Sequence, residues 1–179
     1  MLRLEDTFLL LIDIQVKLWN VMHEKESLLE NTQKLIKGLR LMGAPVLVTE
    51  QNPHGLGPTH PDLIQLLPEA KPLPKFCFSC SQDPAFRDSA AGLKKKQVLV
   101  CGIEAHICVY QTSLDLLAAG YEVQVIADAV SSRTPRNRDI ALARLQSEGV
   151  RISSVEMALF ELLKTAESPA FKELSRIIK

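Results

Sequence analysis

The sequence predicts an α/β fold of three layers, in which a mostly parallel sheet of about six strands lies between two layers of helices. Short apolar segments of strand type alternate along the chain with longer segments whose apolar residues have helical spacing. The first segment, 7–14, is almost continuously apolar, which is typical of a strand that a parallel sheet buries on both faces. Because the 179 residues contain no linker, repeat or low-complexity segment, 1–179 is predicted to form a single domain.

The other elements are predicted from their periodicity and from the residues that begin or end helices. After 7–14, the strands are expected at 45–49, within 72–78, and at 97–102, 122–127 and 150–153. The helices are expected at 25–42, 107–119, 134–148, 155–164 and from 168 onward. Gly43, Gly120 and Gly149 stand where the first three of these helices would end.

Two segments outside the sheet carry expectations of their own. The stretch 52–58 is rich in Pro and Gly and has no periodicity, and loops of this kind in a compact domain are usually functional. The last helix would present Phe171, Leu174 and Ile178 on one side. That apolar stripe is expected either to pack on the sheet or to contact another subunit.

Composition excludes several classes of protein. Lys and Arg together number 21, as do Asp and Glu, and a net charge of zero argues against a nucleic-acid partner. The longest apolar run, 8–12, is far too short to cross a membrane. Four cysteines and an acidic start in place of a basic leader predict a cytoplasmic protein with free thiols.

One edge of the sheet is the expected place for chemistry. Right-handed crossovers bring the carboxyl ends of parallel strands to the same edge, where open α/β folds bind ligands. Asp13, the segment after Thr49 and the turn after Gly102 would all lie there. A carboxylate in an apolar strand needs a partner, so Asp13 is predicted either to take part in chemistry or to hold the next loop.

Cys108 and Lys75 are the other two candidates. Cys108 would lie in the first turn of a helix, where the helix dipole and free N–H groups lower the pKa of a thiol and stabilise an oxyanion. Lys75 lies between Pro74 and Phe76, an apolar setting in which its charge would need Asp13 as a partner. The alternatives are a buried structural cysteine and a solvated loop lysine. Together with Asp13 they would supply the nucleophile, positive charge and proton carrier of a cysteine hydrolase.

The order of these residues resembles that of the isochorismatase-like cysteine hydrolases, a family that includes nicotinamidases and carbamoylsarcosine amidase. The chain carries Asp13-Ile14-Gln15 for the D-x-Q of the family, then Lys75, and then Gly102 to Val109 for its G-x-x-x-x-x-C-V. The resemblance covers nearly the whole chain and looks closest to the isochorismatase domain-containing branch.

The resemblance implies a triad of Asp13, Lys75 and Cys108. It also implies a cis peptide between Ile103 and Glu104, which would direct the Glu104 N–H at the carbonyl oxygen of a substrate. The substrate pocket is then expected to include Gln15, Trp19, Gln51, Ala105 and His106. Trp19 could equally be a core aromatic, and His106 could face solvent. Members of the family are often oligomers, so a homo-oligomer is expected.

Metal binding is not expected. Nicotinamidase-like members of the family hold a metal with an Asp-x-His pair after the second strand and a further His. Gln51 and Pro53 occupy those two positions here, and His54 and His60 alone fall short of the usual number of ligands. We therefore expect no metal and no other cofactor, and nicotinamidase activity becomes doubtful.

The sequence thus predicts a hydrolase that cleaves an amide-type C–N bond of a small molecule through a thioester on Cys108. One alternative is a non-catalytic domain of the same fold that acts through protein partners. Another is a thiol redox protein built on Cys77 and Cys80, although this C-x-x-C pair is followed by neither a second pair nor a helix start.

Overall fold

Six parallel strands form one sheet at the centre of the computed structural model, which describes residues 1–179. The strands are β1 (Thr7–Ile12), β2 (Val46–Gln51), β3 (Leu73–Lys75), β4 (Gln97–Ile103), β5 (Glu122–Ser131) and β6 (Arg151–Ser153). Their order across the sheet is β3-β2-β1-β4-β5-β6, and every neighbouring pair is parallel.

Helices cover both faces of this sheet. They are α1 (Val16–Trp19), α2 (Lys25–Leu41), α3 (Pro53–Leu56), α4 (Pro61–Ile64), α5 (Pro84–Gly92), α6 (Tyr110–Ala118), α7 (Pro135–Ser147), α8 (Val155–Leu163) and α9 (Phe171–Ile178). On β1, Leu9 and Leu11 belong to a core with α2, α8 and α9, whereas Phe8, Leu10 and Ile12 belong to a second core with α5, α6 and α7. The predicted three-layer fold is confirmed.

The direction of the chain across the sheet changes between β1 and β4. β1 pairs with β2 on one side and with β4 on the other, so the connections that leave these two central strands run to opposite sides. A crevice forms at the carboxyl ends of two such strands and is the usual place of a ligand. Asp13 follows β1 and Cys108 follows β4, so the topology alone brings these residues together.

Several elements differ from the sequence-based expectation. β1 ends at Ile12 rather than at 14, because Asp13 has a φ of 53° and leaves the strand. β5 extends to Ser131 beyond a register shift relative to β4. The expected helix 107–119 begins as a π-helical turn, Ala105–Val109, and continues as α6.

Four helices were not expected, namely α1, α3, α4 and α5. α5 begins with Pro84, and the Asp83 carboxylate accepts a hydrogen bond from the Phe86 N–H, so the signals for its start are in the sequence. The short helix α3 lies in the segment 52–58, which the sequence predicts to lack regular structure.

The apolar stripe of α9 packs within the chain. Leu174 is fully buried, and Phe171 and Ile178 contact the core that α2 and α8 share. The stripe therefore packs within the chain against α2 and α8, whereas its expected contact with another subunit and the homo-oligomer stay predictions. No helix combines the length and the apolar character that crossing a bilayer requires.

Candidate active site

Asp13, Lys75 and Cys108 come from three separate parts of the chain and lie together beyond the carboxyl edge of the sheet. Asp13 follows β1, Lys75 ends β3, and Cys108 lies in the π-helical turn after β4. Their exposed fractions are 0%, 2% and 5%. Because buried ionisable groups are stable only when they are paired, the contacts among these side chains explain how they can be present in this part of the fold.

The Asp13 carboxylate has a hydrogen-bond donor on each oxygen. Lys75 Nζ donates to Oδ2 over 2.7 Å, and Thr49 Oγ1 donates to Oδ1 over 2.7 Å. The backbone of Asp13 is held as well, since its N–H donates to the Thr49 carbonyl and its own carbonyl accepts from the Gln15 N–H. These contacts offset the cost of burying the carboxylate and support a positive φ that costs an ordinary residue about 1–3 kcal/mol.

The Lys75 ammonium is surrounded by acceptors. Besides Asp13, Nζ donates to Gln51 Oε1 at 2.8 Å and to the carbonyls of Cys77 and Phe78, both at 3.2 Å. Burial acts to lower the pKa of Lys75, but the charge of the Asp13 carboxylate and the hydrogen bond to it contribute to an opposing effect that raises the pKa above its usual range. Lys75 is therefore a permanently charged, buried residue, and the alternative of a solvated loop lysine is wrong.

The thiol of Cys108 differs from the expectation in one respect. Burial, together with the charge of the Asp13 carboxylate, raises its pKa to about 12, although the Lys75 ammonium acts to lower it. The expectation that a helix start would lower this pKa was therefore wrong, because desolvation and a neighbouring anion outweigh the local dipole. The free site holds a neutral thiol next to a carboxylate, and a thiolate forms only when that carboxylate takes the proton.

Two further residues belong to this cluster, and the sequence analysis missed both as site residues. Thr49 is the donor to Asp13, and Cys80 Sγ lies 3.7 Å from Thr49 Oγ1. Thr49 could have been found, because it lies near the end of β2 at the same sheet edge. Cys80 could not have been found in this way. It lies in a short 3₁₀ turn, Cys80–Gln82, and no periodic pattern in the sequence predicts that turn.

The buried thiols predict a loss of stability at alkaline pH. Burial raises the pKa of Cys80 and Cys108 to about 12 and that of Cys101 further, whereas the same thiols in the unfolded chain ionise near pH 8.5. Above about pH 8.5 the unfolded chain binds fewer protons, so the free energy of unfolding falls as pH rises, by about 1.4 kcal/mol per pH unit for each thiol. The raised pKa of Lys75 adds a loss of the same sign above its unfolded value.

Urea unfolding measured between pH 8 and 11 checks this expectation. The Cys101→Ala variant should lose less stability per pH unit than the wild type by about 1.4 kcal/mol, since one of the three thiols is gone. Equal pH slopes for the two proteins would contradict the assignment of Cys101 as a thiol that titrates only on unfolding.

The cis peptide that the resemblance implies is present between Ile103 and Glu104. Glu104 is buried, and its Oε2 accepts hydrogen bonds from both the backbone N–H and the Nε of Arg133, each at 3.1 Å. Ala105 is buried beside it, while His106 Nδ1 lies 2.9 Å from Ser132 Oγ. The turn that carries Cys108 is thus attached to the segment that follows β5.

The two glutamines expected in the pocket use their amide groups to hold the surrounding loops. Gln15 is fully buried; its Nε2 donates to the carbonyls of Gln51 and Gly57, and its Oε1 accepts from the Gln51 N–H. The Gln51 side chain bridges Lys75 Nζ and the Phe76 carbonyl. Both side chains therefore fix the backbone around the triad, and their place in a substrate pocket stays a prediction.

Trp19 packs against one of the two loop histidines, His60. Trp19 is half-buried; its Nε1 donates to the Lys25 carbonyl, and its ring meets that of His60 edge to face at 4.6 Å. His60 also accepts a hydrogen bond from the Asp62 N–H through Nδ1, whereas His54 is exposed. The structure contains no group of three or more His, Cys, Asp and Glu side chains arranged to hold a metal ion.

Two of the cavities in the structure lie away from the triad. One of about 430 Å³ lies between α5 and α6 and is lined by apolar side chains such as Phe86 and Leu116. Another, of about 120 Å³, is polar and includes His23 and Asp128 in its lining. Neither is lined by Asp13, Lys75 or Cys108, so the candidate site is identified by the convergence of reactive side chains and not by cavity size.

Comparison with known proteins agrees with the architecture. The model of the isochorismatase domain family matches residues 7–157. Isochorismatase domain-containing protein 2 of Homo sapiens is 40% identical over 96% of this chain and 82% of its own length. The structure of MAR1 ribonuclease from Caenorhabditis elegans superposes with a TM-score of 0.93 and 32% identity, covering 99% of this chain and 91% of that one.

A third relative bears on location. The secreted isochorismatase effector Isc1 of Phytophthora sojae is 38% identical over 96% of this chain and 83% of its own length. Relatives of this domain therefore include a protein named as secreted, and the cytoplasmic location of the present chain stays a prediction.

Proposed function

Since this chain belongs to the isochorismatase family of hydrolases, we propose that it hydrolyses an amide-type C–N bond of a small molecule with Cys108 as the nucleophile. The observation that carries the proposal is the buried cluster in which Asp13 is bonded to Lys75 over 2.7 Å and acts electrostatically on the Cys108 thiol. A nucleophile next to a base that a third group orients is the arrangement that covalent catalysis requires.

The first half of the reaction forms a thioester. Asp13 accepts the proton of Cys108, and the sulfur attacks the carbonyl carbon of the substrate, whose oxygen takes up negative charge. The backbone N–H groups of Glu104 and Cys108 donate to that oxygen. Asp13 then gives its proton to the amine, the C–N bond breaks, and the amine leaves while the acyl group remains on sulfur.

Water completes the reaction. Asp13 accepts a proton from water, the resulting hydroxide attacks the thioester carbon, and the C–S bond breaks. The proton on Asp13 returns to the Cys108 sulfur, so the enzyme is regenerated and one water has been consumed for each amide. Lys75 keeps its positive charge throughout and stabilises the carboxylate form of Asp13, to which it is bonded.

The neutral resting thiol supports Asp13 as the base. With a pKa of about 12, Cys108 holds little thiolate of its own near neutral pH. The reaction therefore depends on proton transfer from Cys108 to Asp13 when a substrate is bound. It does not depend on a thiolate that is already present in the free enzyme.

A small substrate is favoured over a polymer. Cys108 is only 5% exposed, and the chain has a net charge of zero, whereas proteins that bind nucleic acid usually carry an excess of positive charge. Because one relative bears the name ribonuclease, RNA is the second candidate substrate. A non-catalytic domain is disfavoured, since such a domain has no need of a buried acid, amine and thiol at one place.

A substrate screen tests the proposal. Wild-type protein and Cys108→Ala are incubated with a set of small amides and esters and with an RNA oligonucleotide, and the release of amine, acid or nucleotide is measured. At least one amide should be hydrolysed by the wild type, and the variant should be slower by about a thousandfold or more. Cys101→Ala, which removes a buried thiol outside the cluster, should stay within about twofold of the wild type.

Two outcomes would contradict the proposal. Hydrolysis by Cys108→Ala at the wild-type rate would show that another group attacks the substrate. Cleavage of RNA alone, with no turnover of any amide or ester, would favour the second candidate.

A further inference from the structure

The side chains of Thr49 and Cys80 form a row that begins at Asp13 of the triad. Thr49, which is 1% exposed, donates from Oγ1 to Asp13 Oδ1 over 2.7 Å. On its other side, Cys80 Sγ lies 3.7 Å from the same Thr49 oxygen. Cys80 is itself held in place, because its backbone N–H donates to Thr112 Oγ1 over 2.9 Å. No step of the proposed reaction uses the hydroxyl of Thr49 or the thiol of Cys80.

The chemistry of the three groups allows only one direction of donation. Asp13 is bonded to an ammonium and, as a carboxylate, can only accept. The Thr49 hydroxyl has a single proton, and it must point at Asp13 to make the short bond. The Cys80 thiol, which burial keeps protonated by raising its pKa to about 12, then donates to the lone pair that Thr49 has left.

We propose that Thr49, oriented by Cys80, is a positioning residue that holds the Asp13 carboxylate in the plane from which it accepts the Cys108 proton. Lys75 fixes Oδ2 from β3 and Thr49 fixes Oδ1 from β2, so the carboxylate is held at two points and cannot rotate about its Cβ–Cγ bond. This inference rests on the proposed role of Asp13 as the base for Cys108.

The rate at which Cys108 reacts should depend on how the Asp13 carboxylate is placed. The titratable groups that face Asp13 are Lys75 from β3, Cys80 from the 3₁₀ turn and Cys108 from the π-helical turn. Since burial raises the pKa of Cys108 to about 12, this thiol reacts at neutral pH by giving its proton to Asp13. Loss of the Thr49 donor leaves Oδ1 unheld and slows that transfer.

The experiment measures the rate of alkylation of Cys108 by iodoacetamide at neutral pH, with peptide mass spectrometry to separate it from the other thiols. Thr49→Val, which keeps the shape and removes the hydroxyl, should lower this rate about tenfold. Thr49→Ser, which restores the hydroxyl, should bring the rate back to within about threefold of the wild type. Thr32→Val, a buried threonine of α2 that donates only to the Leu28 carbonyl, should match the wild type.

Cys80 provides a second pair of variants. Cys80→Ser keeps a donor for Thr49 and should stay close to the wild type, whereas Cys80→Ala should slow labelling about threefold. A labelling rate that Thr49→Val leaves unchanged, or a loss of rate that Thr49→Ser fails to restore, would overturn the proposal. Since labelling needs no turnover, these results stand apart from the substrate screen, in which failure of Cys108→Ala to lose activity would overturn the proposed function alone.

Discussion

Replacement of Lys75 with Met is expected to lower the free energy of unfolding by about 3–5 kcal/mol and to abolish hydrolysis that depends on Cys108. The side chain of Lys75 is almost fully buried, and the 2.7 Å bond from Nζ is the only contact that neutralises the Asp13 charge. Methionine fills a similar volume but leaves that carboxylate unpaired in the interior. Because a domain of this size is stable by only about 5–15 kcal/mol, a large share of the total would be lost.

Urea unfolding monitored by circular dichroism measures this change in the free energy of unfolding. Lys34→Met is the matched control, because Lys34 makes a 2.9 Å pair with Glu30 on the surface of α2, where such a pair contributes no more than about 0.5 kcal/mol. The double variant Lys75→Met with Asp13→Asn should be more stable than Lys75→Met alone, since the unpaired charge is gone. A loss below about 1 kcal/mol for Lys75→Met would mean that Asp13 is not a buried anion.

The substitution Gly102→Ala is expected to lower the free energy of unfolding by about 4 kcal/mol or more, or to prevent folding. Gly102 has a φ of 126°, a conformation that L-residues rarely adopt. A Cβ atom at this position would lie 2.1 Å from the carbonyl oxygen of Ile12 in the neighbouring strand. Since this oxygen belongs to the backbone, relief would require β1 and β4 to separate at the point where Asp13 and the Cys108 turn begin.

Gly92→Ala serves as the control for this substitution. Gly92 ends α5, and an alanine methyl group there would have no atom of a neighbouring element within 4 Å. Because its backbone is also ordinary helix, alanine should be neutral or slightly stabilising at this position. Thermal unfolding of the two variants compares them under the same conditions. Wild-type stability in Gly102→Ala would show that the two central strands can separate without cost.

Local patterns were sufficient to predict the sheet and most of its helices. Strands such as Gln97–Ile103 are continuously buried, so their apolar runs are visible without any knowledge of their neighbours. Helix α2 has its buried residues at helical spacing and ends beside Gly43, so the prediction of 25–42 differs from the observed Lys25–Leu41 by one residue. Helix α5 is short, and the cap at Asp83 and the following proline are the only features of the sequence that predict it.

The candidate site, too, could be predicted only in part. The identities of Asp13, Lys75 and Cys108 are visible in the sequence because each is a reactive residue in an apolar or glycine-bounded setting at the end of a strand. Their mutual contacts are not, because Asp13 and Lys75 are separated by 62 positions and meet only when β1 and β3 lie in one sheet. The amide contacts of Gln15 and Gln51 likewise exist only after the loops have closed around the triad.

The amino-acid order was enough to specify the parallel sheet, the edge that carries the chemistry and the three reactive side chains there, because periodicity and residue type act over short distances along the chain. Folding in three dimensions was needed to set the protonation of Cys108 and to bring Thr49 and Cys80 behind Asp13. These properties depend on desolvation and on charges a few ångströms away, contributed by strands and turns that are remote in sequence. A helix start lowers the pKa of an exposed thiol, but burial beside a carboxylate reverses that effect.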